Sequence, residues 1–484
     1  SHIVLLTDGF ANRDHSRTDI EGFIEGSCTD PGTGSGGRCV KDLVRHLWTN
    51  DLITGSGTNA SDGNGLKFAQ KVKTHTIGFQ FSSDWLKEVA LESEGIFAEA
   101  NNARELVDAI NNIVVDALKV DNTFVAPVAA VNQFNRLNNL NDIYFAVFRP
   151  DEYPRWPGNL KKYRLGTDNE VLGVGDTAAV DPNTGFFFEN STDLWNDSGT
   201  PDGNDVEQGG AGSQVPGYAT RNVYTYHENS TSTELSAPVN QLNTDQVTAG
   251  VLTKDLFGAS TLTDAEFSEL IQWVRGQDVP GSVNRNSFND PLHSRPVAIT
   301  YDAPDPNDPD NQDVEIFLGS NGGGLHAYNA ATGIETFAFF PEATLPLQNE
   351  LKENASTTPH LYGIDGSIVP WVRDIGANGI SAGDGDLVRL FFGMRRGGSN
   401  YYSMDVTDRA NPKVQWIIEG GSGDYAEMGQ SWGTPIRGKI RLKDESPRDV
   451  LFISGGYDTA KDSEVTRSPD SIGRAIFIVD AETG

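Results

Sequence analysis

Cysteine is nearly absent from this sequence: Cys28 and Cys39 are the only two in 484 residues. That excludes a disulfide-dense small scaffold and any multi-cysteine metal centre. The pair brackets a Gly/Ser/Thr-rich stretch, a placement that suits one loop-closing disulfide formed in an oxidising compartment. Basic charge is scarce too, with 37 Lys and Arg against 68 Asp and Glu and a net charge of −31. So acidic a surface repels phosphate and excludes nucleic acid as a partner. No apolar run is long enough to span a bilayer, so no transmembrane segment is expected. HExxH, GxSxG and P-loop patterns are missing and the 8 His are scattered, so the chain is read as a non-enzyme. It starts without Met or leader on an apolar strand and stops in mid-turn at Glu482-Thr483-Gly484, and we read it as part of a longer protein.

What is abundant points to β structure. The 52 Gly and 23 Pro favour many turns, and 24 Phe, 13 Tyr and 8 Trp can fill a large core. Residues 1–120 differ from the rest. Ile3–Leu6 is an apolar strand of the kind buried on both faces, ended by Thr7-Asp8-Gly9. Val40, Leu43, Val44 and Leu47 follow at helical spacing, then a strand over Thr74–Phe79 and a helix around Leu86, Val89 and Ala90. A last helix carries Leu106, Ile110, Ile113, Val114 and Ala117 on one face. Alternating strands and helices predict a parallel α/β sheet, whose strand ends bind ligands, and Asp8 sits at such an end.

Residues 121–484 repeat a β unit. An Asp-led strand begins at Asp142, Asp313, Asp386 and Asp449, and a proline marks a strand upstream of each at Pro127, Pro296, Pro370 and Pro435. A returning strand follows at 158–163, 324–328, 401–405 and 475–480, and Thr-Gly turns recur at 184–185, 332–333 and 483–484. Period-2 runs between such turns read as antiparallel meanders. Asp313, Asp386 and Asp449 lie 73 and 63 residues apart, more than the usual ~40–50 per propeller blade. Long hairpin loops account for the excess. The expected architecture is mainly β, a β-propeller of seven blades, incomplete here. A loop and helix insertion occupies about 166–290, its helix opened by the capping box Thr263-Asp264-Ala265-Glu266 and packed on the rim.

Two acidic loops suggest cations. Asp305, Asn307 and Asp313 match positions one, three and nine of a calcium loop. Pro309 stands at the fifth position, no Gly at the sixth, and Ile316 replaces the closing Glu, so an acidic hairpin tip is the alternative. Asp193, Asp197, Asp202, Asn204 and Asp205 form the second cluster. His293 and His326 are read as satisfied core or rim histidines, and Arg395-Arg396 as a hairpin turn able to pair with carboxylates.

The strand–Thr-Asp-Gly–helix–strand order of residues 1–120 resembles the second half of a von Willebrand factor type A domain. The resemblance implies that Asp8 belongs to a metal-ion-dependent adhesion site, with Mg2+ as its ion and its DxSxS motif ahead of Ser1. Asp14-His15-Ser16-Arg17-Thr18 imitates that motif, but no strand precedes it. Farther on, five strings occur in order: Arg155–Tyr163 (RWPGNLKKY), Asp290–Val297 (DPLHSRPV), Gly319–Tyr328 (GSNGGGLHAY), Gly393–Gly398 (GMRRGG) and Gly429–Pro435 (GQSWGTP). Together the chain resembles the PilC/PilY family of type IV pilus tip-associated proteins. The resemblance implies an exported, cell-surface protein, carried through the periplasm and associated with the outer membrane and pilus tip. It also implies minor pilins as partners, a host or abiotic surface as ligand, and Ca2+ at an Asp-rich loop. The expected role is pilus extension against retraction, with adhesion and twitching motility. Two alternatives stay open. Ala327-x-Asn329-x-x-Thr332-Gly333 resembles a docking motif of quinoprotein dehydrogenases, though Phe337 stands where Trp is expected and no adjacent Cys pair exists. The other is a secreted adhesion propeller without a pilus role.

Overall fold

In the computed structural model, the residues described are 2–9, 17–33, 36–49, 72–102, 105–107, 109–110, 113, 124–131, 139–168, 170–182, 185–278, 285, 288–305, 312–376, 378–441, 443, 446–463 and 468–484. They fall into two compact units, Ser1–Asn122 and Thr123–Gly484.

The first unit holds a parallel sheet ordered β1 (His2–Thr7), β2 (Lys73–Phe79), β3 (Phe97–Ala100). Helices Val40–Thr49 and Asp84–Leu91 lie between the strands in sequence. Central β2 is buried from Thr74 to Gly78, and Ile77, Ala100, Ala109 and Ile113 share its core. The first strand departs from expectation. Ile3, Val4, Leu5 and Leu6 are all exposed: among the described residues β1 pairs with β2 alone and none of its residues joins that core. In the last helix Ala109 and Ile113 face inward while Ile110 faces out; Val114 and Ala117 lie outside the described residues. Cys28 and Cys39 are joined by a disulfide with Cα atoms 5.1 Å apart. Asp42 holds the same loop, accepting from the Thr29 amide (2.8 Å), the Asp30 amide (2.7 Å) and the Thr29 hydroxyl (2.7 Å).

The second unit is mainly β, with four sheets among the described residues. The first comprises β4 (Phe124–Val131), β5 (Asn139–Phe148), β6 (Pro157–Leu165) and β7 (Val171–Leu172), antiparallel throughout. The long connection that follows sends β8 (Val223–Tyr226) onward to the next sheet and β9 (Phe288–Asn289) back to β6. The second sheet is the meander β10 (Val297–Asp302), β11 (Asp313–Gly319), β12 (Leu325–Asn329), β13 (Glu335–Pro341), with β8 added in parallel outside β13. The third is β14 (Val369–Arg373), β15 (Leu387–Gly393), β16 (Tyr401–Asp405), β17 (Lys413–Ile418). The last is β18 (Ile436–Arg441), β19 (Pro447–Ser454), β20 (Ile476–Asp480). Pro296 and Pro435 stand just ahead of their strands, whereas Pro127 lies inside β4 opposite Phe145. An edge strand tolerates it, since one side of β4 needs no donor.

Alternation along each strand feeds two cores at once. Val314, Ile316 and Leu318 of β11 pack with Tyr144, Ala146 and Leu160 of the first sheet. Phe317 turns the other way, to Val388, Leu390 and Phe392 of β15. Leu387 and Phe391 in turn meet Leu451 and Ile453 of β19. The sheets are thus stacked face to face in chain order, which is why β11 and β15 are almost wholly buried. The insertion helix Asp264–Val274 opens on a capping box between Thr263 and Glu266, and its Phe267, Leu270 and Ile271 pack on Val223 of β8 and Ala338 and Phe340 of β13.

One polar contact recurs at each joint. The turn after the third strand of a sheet presents a carbonyl, and a ring from the preceding sheet or its loop donates to it. Trp195 Nε1 donates to Ala330 O at 3.0 Å, Tyr301 Oη to Val406 O at 2.7 Å, and Trp416 Nε1 to Ala481 O at 3.3 Å. The Thr-Gly turns let the indoles close in. Gly333 has φ +73°, and a Cβ there would fall 2.7 Å from the Trp195 ring.

Candidate functional site

Two of the acidic residues flagged in the sequence, Asp313 and Asp202, meet cations that the chain itself supplies. Asp313, first in β11, receives both arms of Arg409, one at 2.8 Å. Arg409 also reaches Glu315 Oε2 at 3.3 Å and lies over Tyr301 at 4.3 Å. Asp305 lends its carbonyl to Gln312 Nε2 at 3.0 Å, and Asn307 lies outside the described residues. Asp8 is exposed beyond β1, where the Thr7 hydroxyl donates to Gly9 O at 2.7 Å. Among the described residues no group of three or more His, Cys, Asp or Glu is disposed to hold a metal ion.

The second acidic cluster encloses an ammonium. Lys161 projects from β6 and is fully buried; its Nζ donates to Asp202 Oδ2 (2.6 Å), Asp202 O (3.2 Å) and Gly203 O (3.1 Å). Asp202 Oδ1 accepts the Asp193 amide (2.9 Å), and Asp193 accepts the amides of Trp195 (2.9 Å) and Gly210 (2.7 Å). Burial and the neighbouring Asp202 carboxylate push the Asp193 pKa up. The loop is folded around a lysine, an arrangement its Gly/Asp/Asn composition does not announce.

A relay crosses the second sheet. His326 on β12 places Nε2 3.2 Å from Ser320 Oγ and Nδ1 2.8 Å from Glu335 Oε1. Glu335, at the head of β13, is also gripped by Arg221, whose second arm donates at 2.8 Å. Burial alone would push the Glu335 carboxyl up; Arg221 and His326 outweigh it and hold the pKa at about 2. Serine, histidine and carboxylate in that order form the pattern of a nucleophilic triad. Its surroundings favour a structural role. Ser320 is 1% exposed, the adjoining cavity of about 30 Å³ is no larger than a water needs, and Glu335 is neutralised by Arg221.

A second network ties the loops at the same end of the sheets. Asn321, in the β11–β12 turn, donates through Nδ2 to Asp290 Oδ2 (2.6 Å) and Asp365 Oδ1 (3.3 Å). His360 Nε2 lies 2.8 Å from Asp290 Oδ1, and His293 Nδ1 2.6 Å from Asp365 Oδ2. Arg395 approaches Asp365 at 3.6 Å. Asp290 and Asp365 are buried, and burial raises the Asp365 pKa, only partly offset by His293 and Arg395. Two imidazole–carboxylate pairs bridged by one carboxamide fix three loops. Asp290, His293, Asn321 and Arg395 come from the ordered strings singled out in the sequence, whereas His360, Asp365 and Arg221 sit in stretches with no such signal.

The described residues thus form a mainly β protein of stacked meanders whose loops are tied by buried relays. No protein-family model matches the chain. It is 23% identical over 401 residues to the type IV pilus biogenesis factor PilY1 of Pseudomonas aeruginosa strain UCBPP-PA14, covering 78% of this chain and 30% of that protein. For PilY1 of strain PAO1 the values are 24% over 429 residues, 82% and 32%. A PilY1 homolog of Xylella fastidiosa is 28% identical over 153 residues, 31% of this chain and 11% of that protein. The crystal structure of the Pseudomonas aeruginosa PilY1 C-terminal domain is 27% identical and covers 36% of this chain and 28% of its own, with a TM-score of 0.24, too loose an overlap to bear on the fold. The chain is similar over most of its length to members of the PilC/PilY family. It spans about a third, or less, of the length of these curated relatives.

Proposed function

We propose that this chain is part of a type IV pilus-associated protein that promotes pilus assembly and extension against retraction. The observation that carries this reading is the match over 82% of the chain to a protein named as a type IV pilus biogenesis factor. In this reading the stacked meanders are blades of a β-propeller, and the first unit is the carboxy-terminal part of a von Willebrand factor type A domain. The protein sits at the pilus tip on the cell surface, in contact with minor pilins, and contributes to adhesion and twitching. Export through the periplasm accords with the Cys28–Cys39 disulfide. Cations belong to the same proposal, Mg2+ at Asp8 and Ca2+ at Asp305, Asn307 and Asp313. An ion at Asp313 competes with Arg409 for the carboxylate, so binding there is expected to be weak and to tighten in Arg409→Ala.

Affinity purification of the full-length protein from piliated cells tests the partner. Minor pilins are expected in stoichiometric yield, and their absence under crosslinking would contradict the reading. The turn at Ala327–Gly333, which receives Trp195, favours a quinoprotein dehydrogenase as the second reading. Quinone-dependent dye reduction with measurable turnover would select it.

A further inference from the structure

The Arg395-Arg396 turn is not absorbed by the relays. Arg395 has φ +51°, a left-handed conformation that is unfavourable for a non-glycine residue and persists only where the surroundings enforce it. With the backbone so turned, Arg395 approaches Asp365 and lies 5.1 Å from the Trp432 ring centroid, while Arg396 is exposed at the surface. The Arg396 guanidinium sits between two rings, 5.4 Å from Tyr362 and 5.6 Å from Trp432. It pairs with no carboxylate among the described residues, in a chain with 68 Asp and Glu. Arg409, a half-buried turn arginine of the same repeat, has two.

The ridge is also pre-formed. Gln430 Nε2 donates to Arg396 O at 3.0 Å, and Trp432 Nε1 donates to Gln430 Oε1 at 3.0 Å, so one carboxamide fixes both the turn and the indole. Tyr362 is held from behind by His360, ring centroids 4.6 Å apart, and His360 is anchored on Asp290. Half-buried Tyr and Trp around an unpaired Arg is the composition of an interface hot spot, and rigidity lowers the ordering cost of binding.

We propose that the ridge Tyr362–Arg396–Trp432 is a docking surface for a protein segment that presents a carboxylate, an Asp or Glu side chain flanked by apolar residues. Charge complementarity argues for the carboxylate: the guanidinium keeps its planar donor edge free for a bidentate pair. The rings argue for a peptide over an acidic sugar. The faces on which a sugar would stack are those Arg396 already covers.

A displayed random dodecapeptide library panned on the full chain tests this, beside an array of uronic- and sialic-acid oligosaccharides. Wild type is expected to enrich peptides containing Asp or Glu. The enriched peptides should bind Arg396→Gln at least about tenfold more weakly and Arg396→Lys at an intermediate level, because Lys keeps the charge and loses the planar fork. Both variants alter an exposed side chain and should keep the wild-type unfolding midpoint. Enrichment of peptides without acidic residues, no enrichment, or equal binding by Arg396→Gln overturns the proposal. So does binding confined to the oligosaccharides.

Discussion

Glu335 shows how a carboxylate stays ionised inside a sheet: two arms of Arg221 and the ring of His326 replace the water it has lost. Its folded pKa of about 2 lies below the 4.5 of the free side chain, so its contribution is complete above about pH 4.5 and is lost as pH falls through about 2. Urea unfolding over that window should show a loss of roughly 3 kcal/mol in wild type that Glu335→Gln lacks. At neutral pH Glu335→Gln should itself be destabilised by about 3–5 kcal/mol, because Arg221 is left buried and unpaired. Lys161→Ala should cost a similar ~3–5 kcal/mol, leaving Asp202 and Asp193 facing each other in the interior; chemical denaturation reads it directly. At this scale the sequence was only partly legible. His326 was recognisable as a core histidine from its place on an alternating strand. The cation for each acidic loop was not, because Lys161 lies some forty residues from Asp202 and Arg409 nearly a hundred from Asp313.

Elements were more legible than contacts. The Asp-led strands, the Thr-Gly turns and the capping box at Thr263 all report local chemistry, and the corresponding elements are present as β5, β11, β15, β19 and the helix Asp264–Val274. The exposure of β1 was not legible, since an apolar run reads alike whether or not a neighbour covers it. The ring-to-carbonyl joint was also hidden, because Trp195, Tyr301 and Trp416 occupy different places in their repeats and share only what they reach. Tyr301→Phe isolates one joint: it removes only the hydroxyl and leaves the buried Val406 carbonyl without its donor. A loss of about 1–3 kcal/mol is expected. Tyr328→Phe is the control, as its hydroxyl is buried without a protein partner and its removal should be near neutral or stabilising. Equal effects of the two substitutions in thermal unfolding would show that the joints contribute nothing specific.

For the whole molecule, two compact units with separate cores should unfold in separate calorimetric transitions. Reducing Cys28–Cys39, which closes a loop of sequence separation 11, should lower only the transition of Ser1–Asn122, by roughly 2–4 kcal/mol. The last sheet exposes Ile436 and Ile478 on either side of Phe452, in register across three strands. The resemblance to the PilC/PilY family was readable from five ordered strings although no single string is decisive, and several of their residues meet in the two relays. The central proposal is a role for the protein in type IV pilus biogenesis. Deleting its gene and counting surface pili by electron microscopy tests that most directly. The account predicts few or no pili, with number and twitching restored by the full-length gene; a deletion strain that pilates and twitches as wild type would contradict it.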